Sequence, residues 1–151
     1  SWGIDVSPDF SPDGKKIVFS SKRAGTPQIY IQDLESDRPI RVTFKGKNNT
    51  SPAWSPDGKK IAYVGIEDNN IDIFVMPIDT GIRIQLTMNA GDNEDPSWSP
   101  DGSMMTFTST REGNVPRVFV MNATGSDPRR LLRMKGKQTQ PSWSLSKGTK
   151  D

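Results

Sequence analysis

The sequence predicts an all-β protein, built from three copies of a four-stranded antiparallel unit and the beginning of a fourth. Three observations carry this expectation: a phrase recurs at a fixed interval, glycine and proline punctuate the chain evenly, and the apolar runs between them are short. The interval is the strongest. Pro8, Pro52, Pro96 and Pro141 share one column, at intervals of 44, 44 and 45 residues. Phe10, Trp54, Trp98 and Trp143 follow two residues after those prolines, and Asp13-Gly14, Asp57-Gly58 and Asp101-Gly102 follow three residues later again. Thirteen glycines and twelve prolines in 151 residues leave no room for long helices.

The second copy shows the elements of the unit in order. Strands are expected over 52–55, 60–64, 72–77 and 83–88, separated by Pro56-Asp57-Gly58, by the loop 67–70 and by Asp79-Thr80-Gly81. In Ser55-Pro56-Asp57-Gly58 the proline presets φ for the second position of a type I turn. The glycine then takes the left-handed conformation that lets the next strand pair, so this Asp is a turn residue before it is a catalytic one. The third strands, Ile29-Tyr30-Ile31, Ile73-Phe74-Val75 and Val118-Phe119-Val120, are apolar on both faces. Antiparallel strands read this way when the sheet is covered on both sides. A repeat of 40–45 residues with four strands, stacked face to face, is the signature of a β-propeller blade. Blades are expected at about 7–50, 51–94 and 95–139, with a closing strand at 140–144, making half of a six-bladed ring. The tryptophans are expected to pack between blades. Arg23 and Arg111, 88 residues apart, are expected to donate to loop carbonyls or to pair with a neighbouring blade.

Composition removes several chemistries. The chain has no histidine and no cysteine, which excludes thiol nucleophiles, Cys/His zinc sites and Ser-His-Asp triads within it. No run of about 18 apolar residues is present, so no helical membrane span is expected. A formal charge of +2, with both signs interspersed, gives no indication of nucleic acid. The start at Ser1-Trp2, without methionine, points to a piece of a longer protein. Asp92, Asn93, Glu94 and Asp95 form an acidic loop with calcium-binding residue types but no complete calcium-loop spacing. No cofactor is expected, and calcium at that loop is the alternative.

The phrase Pro-x-Trp-Ser-Pro-Asp-Gly-Lys-Lys-Ile-Ala, followed by an Ile-Tyr-Ile or Ile-Phe-Val strand and then Arg83-Ile84-Gln85-Leu86-Thr87, resembles the repeat of TolB-type β-propellers. The stretch "SSKRAGTPQIYIQDL" and the ending "QPSWS" strengthen the likeness. That resemblance implies a non-enzymatic, periplasmic protein-binding propeller of the Tol-Pal envelope system, with the peptidoglycan-associated lipoprotein Pal as its partner at one channel mouth. It places partner contacts just before the repeat proline, at Thr50 and Ser51, Glu94 and Asp95, and Thr139 and Gln140, with Ser7 in the same column. The loops leading there differ between copies while the strands repeat, as recognition loops on a scaffold do. Lys45 and Lys47 recur as Lys135 and Lys137 and suit an acidic partner. The alternatives are the gating propeller of a larger oligopeptidase-type hydrolase and a lyase with a metal in the channel. A homodimer completing a six-bladed ring is also expected, in which the strand at 141–144 and the partner's strand at 8–11 compete for one slot.

Overall fold

A computed structural model describes residues 5–144. Among them are twelve strands and no helix: β1 (Asp5–Phe10), β2 (Lys16–Ser21), β3 (Gln28–Asp33), β4 (Ile40–Arg41), β5 (Asn48–Trp54), β6 (Lys60–Glu67), β7 (Asn70–Pro77), β8 (Ile84–Gln85), β9 (Asn93–Trp98), β10 (Met104–Ser109), β11 (Arg117–Asn122) and β12 (Arg129–Arg130). They form three antiparallel four-stranded sheets with orders β1-β2-β3-β4, β5-β6-β7-β8 and β9-β10-β11-β12. Each sheet is a meander, so its strands are neighbours both in sequence and in space.

The turn chemistry explains the first hairpin of each sheet. Gly58 N donates to Ser55 O at 2.8 Å, and Gly58 has φ of 70°. The Ser55 hydroxyl donates to Asp57 Oδ1 and accepts Lys60 N at 2.9 Å, while Lys59 N donates to the same Asp57 oxygen at 3.0 Å. Ser11-Asp13 and Ser99-Asp101 repeat the arrangement, and the serine hydroxyl is the main cause holding all three aspartates below the usual range, Asp101 down to about 2.

Two elements of the second sheet differ from the sequence expectation. The loop expected over 67–70 is a tight two-residue turn: Glu67 pairs with Asn70, and Asp68 and Asn69 both have positive φ, at 48° and 64°. Those dihedrals match the right-handed twist of the flanking strands, which lengthens the hairpin. The outermost strand β8 has only two residues, against the six expected. It pairs with β7 on one side alone, at the sheet edge.

Two apolar clusters hold the sheets face to face. Trp54, Ile61, Tyr63, Phe74 and Met76 of the second sheet pack on Val18 and Ile29 of the first. Trp98, Met105, Phe107, Phe119 and Met121 of the third pack on Ala62, Ile73 and Val75 of the second. Each such side chain contributes about 1.5–3 kcal/mol when fully buried. Trp54 and Trp98 are thus inter-sheet residues, and both faces of β7 are covered, which is why its apolar run is continuous.

The segment expected as a closing strand, 140–144, has no ladder pairing in the described residues. It nevertheless follows the repeat: the Trp143 indole N–H donates to Ser97 O at 3.1 Å, as that of Trp98 does to Ala53 O at 3.2 Å. The segment therefore lies against β9, where the innermost strand of a next sheet would stand. Residues 145–151, where the repeat phrase breaks off, lie outside the described residues.

Candidate functional site

The expected contact residues all fall at one irregularity. In the three innermost strands, and again in segment 140–144, the residue before the repeat proline has positive φ: Ser7 54°, Ser51 50°, Asp95 53° and Gln140 54°. A β-bulge accompanies it in the three sheets. Thr50 pairs with Val64 and Ala53 with Ala62, so three steps on β5 match two on β6; Glu94 and Ser97 do the same against Thr108 and Thr106, and Val6 and Asp9 against Ser20 and Val18. Proline brings no N–H to the ladder, and the extra residue absorbs the missing bond. A left-handed conformation at a non-glycine residue costs on the order of 1 kcal/mol or more, and it is held here by the surrounding sheet. The result is a row of corners: Thr50-Ser51 and Glu94-Asp95 at the bulges of β5 and β9, and Thr139-Gln140 in the same column beyond the third sheet.

The structure brings two of these residues together. Asp95 Oδ2 accepts Gln140 N at 3.2 Å and the Thr108 hydroxyl at 3.1 Å, tying the third corner to the second. Thr50, Ser51, Glu94 and Thr139 make no side-chain hydrogen bond among the described residues, and Glu94 and Thr139 are exposed. The Glu94 carboxyl is pushed up, first by desolvation and then by Asp95 and Asp92, with Lys137 opposing. Lysine from the third loop thus sits near acid from the second. Among the described residues no group of three acidic, His or Cys side chains is placed to hold a metal ion.

Behind the rim lies a buried polar network that the sequence reading missed. The Thr43 hydroxyl accepts Ile29 N at 2.9 Å and donates to Gln28 Oε1 at 2.8 Å, and Asn49 Nδ2 donates to the same oxygen at 2.8 Å. In the next copy the Thr87 hydroxyl accepts Ile73 N at 3.0 Å and donates to Asp72 Oδ1 at 2.7 Å, and Asn93 Nδ2 donates to that oxygen at 3.1 Å. These side chains pin each loop to the sheet before it and so fix where the corner sits. The signal was available: Thr43 to Asn49 and Thr87 to Asn93 have the same spacing. In the third copy Gln138 substitutes for the pair, with its Oε1 accepting Val118 N at a longer 3.4 Å.

The paired arginines were expected at carbonyls or a neighbouring blade; in the structure each bonds side chains of its own sheet, Arg23 to Asp5 and Ser21 and Arg111 to Ser109, and stacks on aromatic rings. Arg23 lies over Phe19 and Tyr30, with Cζ 5.2 and 4.9 Å from the ring centroids; Arg111 lies 4.9 Å from both Phe107 and Phe119. Arg111 also donates to Asn93 Oδ1 at 2.9 Å, anchoring the loop between second and third sheets. In the second sheet Glu67 occupies the arginine column. Arg83, at the edge strand, supplies the cation instead, 4.9 Å over Phe74 and paired with Glu67 (Nη2–Oε2 2.8 Å). That hydrogen bond is the chief cause holding Glu67 below the usual range.

Three consecutive four-stranded meanders, stacked through Trp54 and Trp98 of the second and third innermost strands and carrying a bulged corner in each innermost strand, define consecutive blades of a β-propeller. The model of the TolB beta propeller domain matches residues 1–147, and the chain belongs to that family. A protein named TolB homolog from Chlorobium luteolum is 52% identical over 145 residues, 96% of this chain and 33% of that protein. A Tol-Pal system protein TolB from Campylobacter jejuni is 47% identical over 49 residues, 32% of this chain and 12% of that protein. The crystal structure of TolB from Acinetobacter baumannii superposes with a TM-score of 0.83 at 39% identity, covering 93% of this chain and 35% of that one. The chain spans about a third of the length of the first of these relatives. The tricorn protease, at 17% identity and a TM-score of 0.72, shares the fold alone.

Proposed function

We infer that this chain is part of a non-enzymatic, periplasmic protein-binding propeller of the Tol-Pal system, which binds the peptidoglycan-associated lipoprotein through the bulged rim. The observation that carries this reading is the fourfold recurrence of the left-handed residue before the proline. The backbone cost is repeated at each corner, and bulges of this kind concentrate where a sheet presents side chains to a partner. Support also comes from relatives named Tol-Pal system protein TolB and from a sequence without histidine or cysteine. The contacts are Thr50, Ser51, Glu94, Thr139 and the backbone around Asp95 and Gln140, with Lys45, Lys47, Lys135 and Lys137 drawing in an acidic surface.

Calorimetric titration of soluble peptidoglycan-associated lipoprotein into the chain tests the reading. Saturable binding is expected, weakened at least about tenfold by Thr50→Glu combined with Lys137→Glu, equivalent to about 1.4 kcal/mol. No heat, or heat indifferent to that double variant, rejects the rim as the binding surface. Under the same reading two copies complete a six-bladed ring in which segment 140–144 or the partner's first strand is displaced, or the junction between them is distorted. Light scattering that gives a doubled mass, with the dimer favoured further by Trp143→Ala, which loosens segment 140–144 from Ser97, would support that displacement; one chain at every concentration excludes the ring.

A further inference from the structure

Beside the outermost strands of the first two sheets lies a cleft of about 350 Å³, at the lower end of the roughly 300–1,000 Å³ that small-molecule sites occupy. The segment after β4 supplies Phe44 and Lys45, Tyr63 of β6 and Met76 of β7 form the floor, and the turn before β8 supplies Ile82 and Arg83. Phe44 and Ile82 are 73% and 66% exposed. Their apolar surface is open to a ligand.

The corresponding place at the second junction is built differently. Gly125 ends the turn between β11 and β12, and a Cβ added there would lie 2.8 Å from Leu86 O, so that turn rests on the neighbouring sheet. At Gly81 of the first junction an added Cβ would meet nothing within 4 Å. The side chains differ too: Asn89 stands in the column of Lys45, Phe107 in that of Tyr63, Ser126 in that of Ile82 and Asp127 in that of Arg83. Openness and positive charge thus set the first junction apart.

The charges around the cleft do not cancel. Lys45 and Arg83 line it, and among the described residues no carboxylate does. Glu67, outside the lining, is bonded through both oxygens to Arg83 Nη1 and Nη2. Lys45 helps to hold the Glu67 carboxyl below the usual range but forms no ion pair with it. Two cations therefore stand against one committed carboxylate. The Thr43 hydroxyl on the wall is occupied as well, donating to Gln28 Oε1 and accepting Ile29 N. Burial pushes the Tyr63 phenol up to about 12, so its hydroxyl keeps its proton and remains a donor. Surplus cationic donors over apolar walls select an anion with an apolar body.

We propose that the cleft between Phe44, Met76 and Ile82 is a binding site for a small amphipathic carboxylate, an organic acid with one negative charge and an aromatic or branched aliphatic body. The body lies on Met76 between Phe44 and Ile82. The carboxylate meets Lys45, with Arg83 beside it.

Titration of phenylpropionate into the isotope-labelled chain, followed through amide chemical shifts, tests this beside three companions: the alcohol and the amine of the same skeleton, and propionate, which lacks the ring. Saturable shifts over 42–45 and 81–83 are expected with phenylpropionate alone. Lys45→Glu should weaken binding at least about tenfold, and Ile82→Ser should weaken it several-fold by removing apolar wall. Lys22→Glu makes the same charge change at an exposed lysine outside the cleft and should leave binding unchanged. Lys45 and Ile82 are exposed, so an unaltered thermal midpoint is expected in both variants, and either one keeps the test valid if the other folds poorly. Absence of saturation by phenylpropionate overturns the proposal. So does equal binding of the alcohol or the amine, which would leave the cations without a role, and so does equal binding of propionate, which would leave the walls without one. Equal weakening by Lys22→Glu would mean non-specific attraction and overturns it too. No lipoprotein enters the experiment, so its outcome is independent of the rim.

Discussion

The junction between the first and second sheets and that between the second and third are copies of one design, and they differ in how completely their polar groups are satisfied. At the second junction Asn93 Oδ1 accepts the Ser109 hydroxyl at 2.8 Å and the Arg111 guanidinium at 2.9 Å. At the first, Asn49 Oδ1 is buried with no partner. The cause is two substitutions in the donor columns: Gly65 stands where Ser109 does, and Glu67 where Arg111 does. The space left by the missing side chain at Gly65 is taken by Phe74, whose ring would lie 2.7 Å from an added Cβ. Apolar packing and the Glu67–Arg83 pair thus replace hydrogen bonds at the first junction. The comparison teaches that a repeat conserves the place of a contact more strictly than its chemistry.

The largest expected effect comes from the tryptophans. Trp98→Ala and Trp54→Ala should each destabilise by about 3–5 kcal/mol through lost packing. Trp98 should cost about 1 kcal/mol more, because its indole hydrogen bond is lost as well. Urea unfolding of the two variants measures the difference, and equal costs would break the comparison.

Gly65→Ser sharpens it. Serine restores the donor that Asn49 lacks, yet its Cβ meets the Phe74 ring, so a net loss of about 1–3 kcal/mol from overpacking is expected. A stabilised variant would show that the orphaned oxygen, not the ring, governs this junction.

The smallest effect concerns Asp9, whose carboxylate accepts Trp54 N at 2.7 Å across the first junction. Burial pushes its carboxyl up, against the N–H groups of Trp54 and Phe10, which pull it down. The folded state therefore holds the proton more tightly than the unfolded one. The contribution of Asp9 to stability is fully present below the unfolded value of about 3.9 and declines as pH rises through the folded value. Asp9→Asn removes that decline, so its stability should match the parent near pH 3.5 and equal or exceed it at pH 7, by less than about 1 kcal/mol after solvent screening. Stability curves at the two pH values check this; a variant weaker at pH 7 would show that the ionised carboxylate is the better acceptor for Trp54.

Much of the architecture was legible from spacing. The column of Pro8, Pro52, Pro96 and Pro141 located each sheet, and Ser-Pro-Asp-Gly located each first hairpin, because turn residues act through their own dihedrals and nearest neighbours. The contact residues were placed by family likeness, and their shared geometry was not legible: nothing local to Ser51 or Asp95 announces positive φ. That conformation follows from a ladder two strands wide into which a proline must fit.

By itself the sequence determined the period, the all-β class and the positions of the inter-sheet tryptophans, since each depends on residues close in the chain or on a repeat visible by alignment of the copies. Only the tertiary structure decided which polar groups meet across a junction. Arg83 taking the place of an arginine column held by Glu67, Asn49 left without a donor, and Gln140 tied to Asp95 all depend on which groups 16 to 45 residues apart are held within hydrogen-bond reach. The physical reason is range. A turn is selected by torsional preferences within four residues, whereas the satisfaction of a buried oxygen is selected by every side chain that packing brings to it.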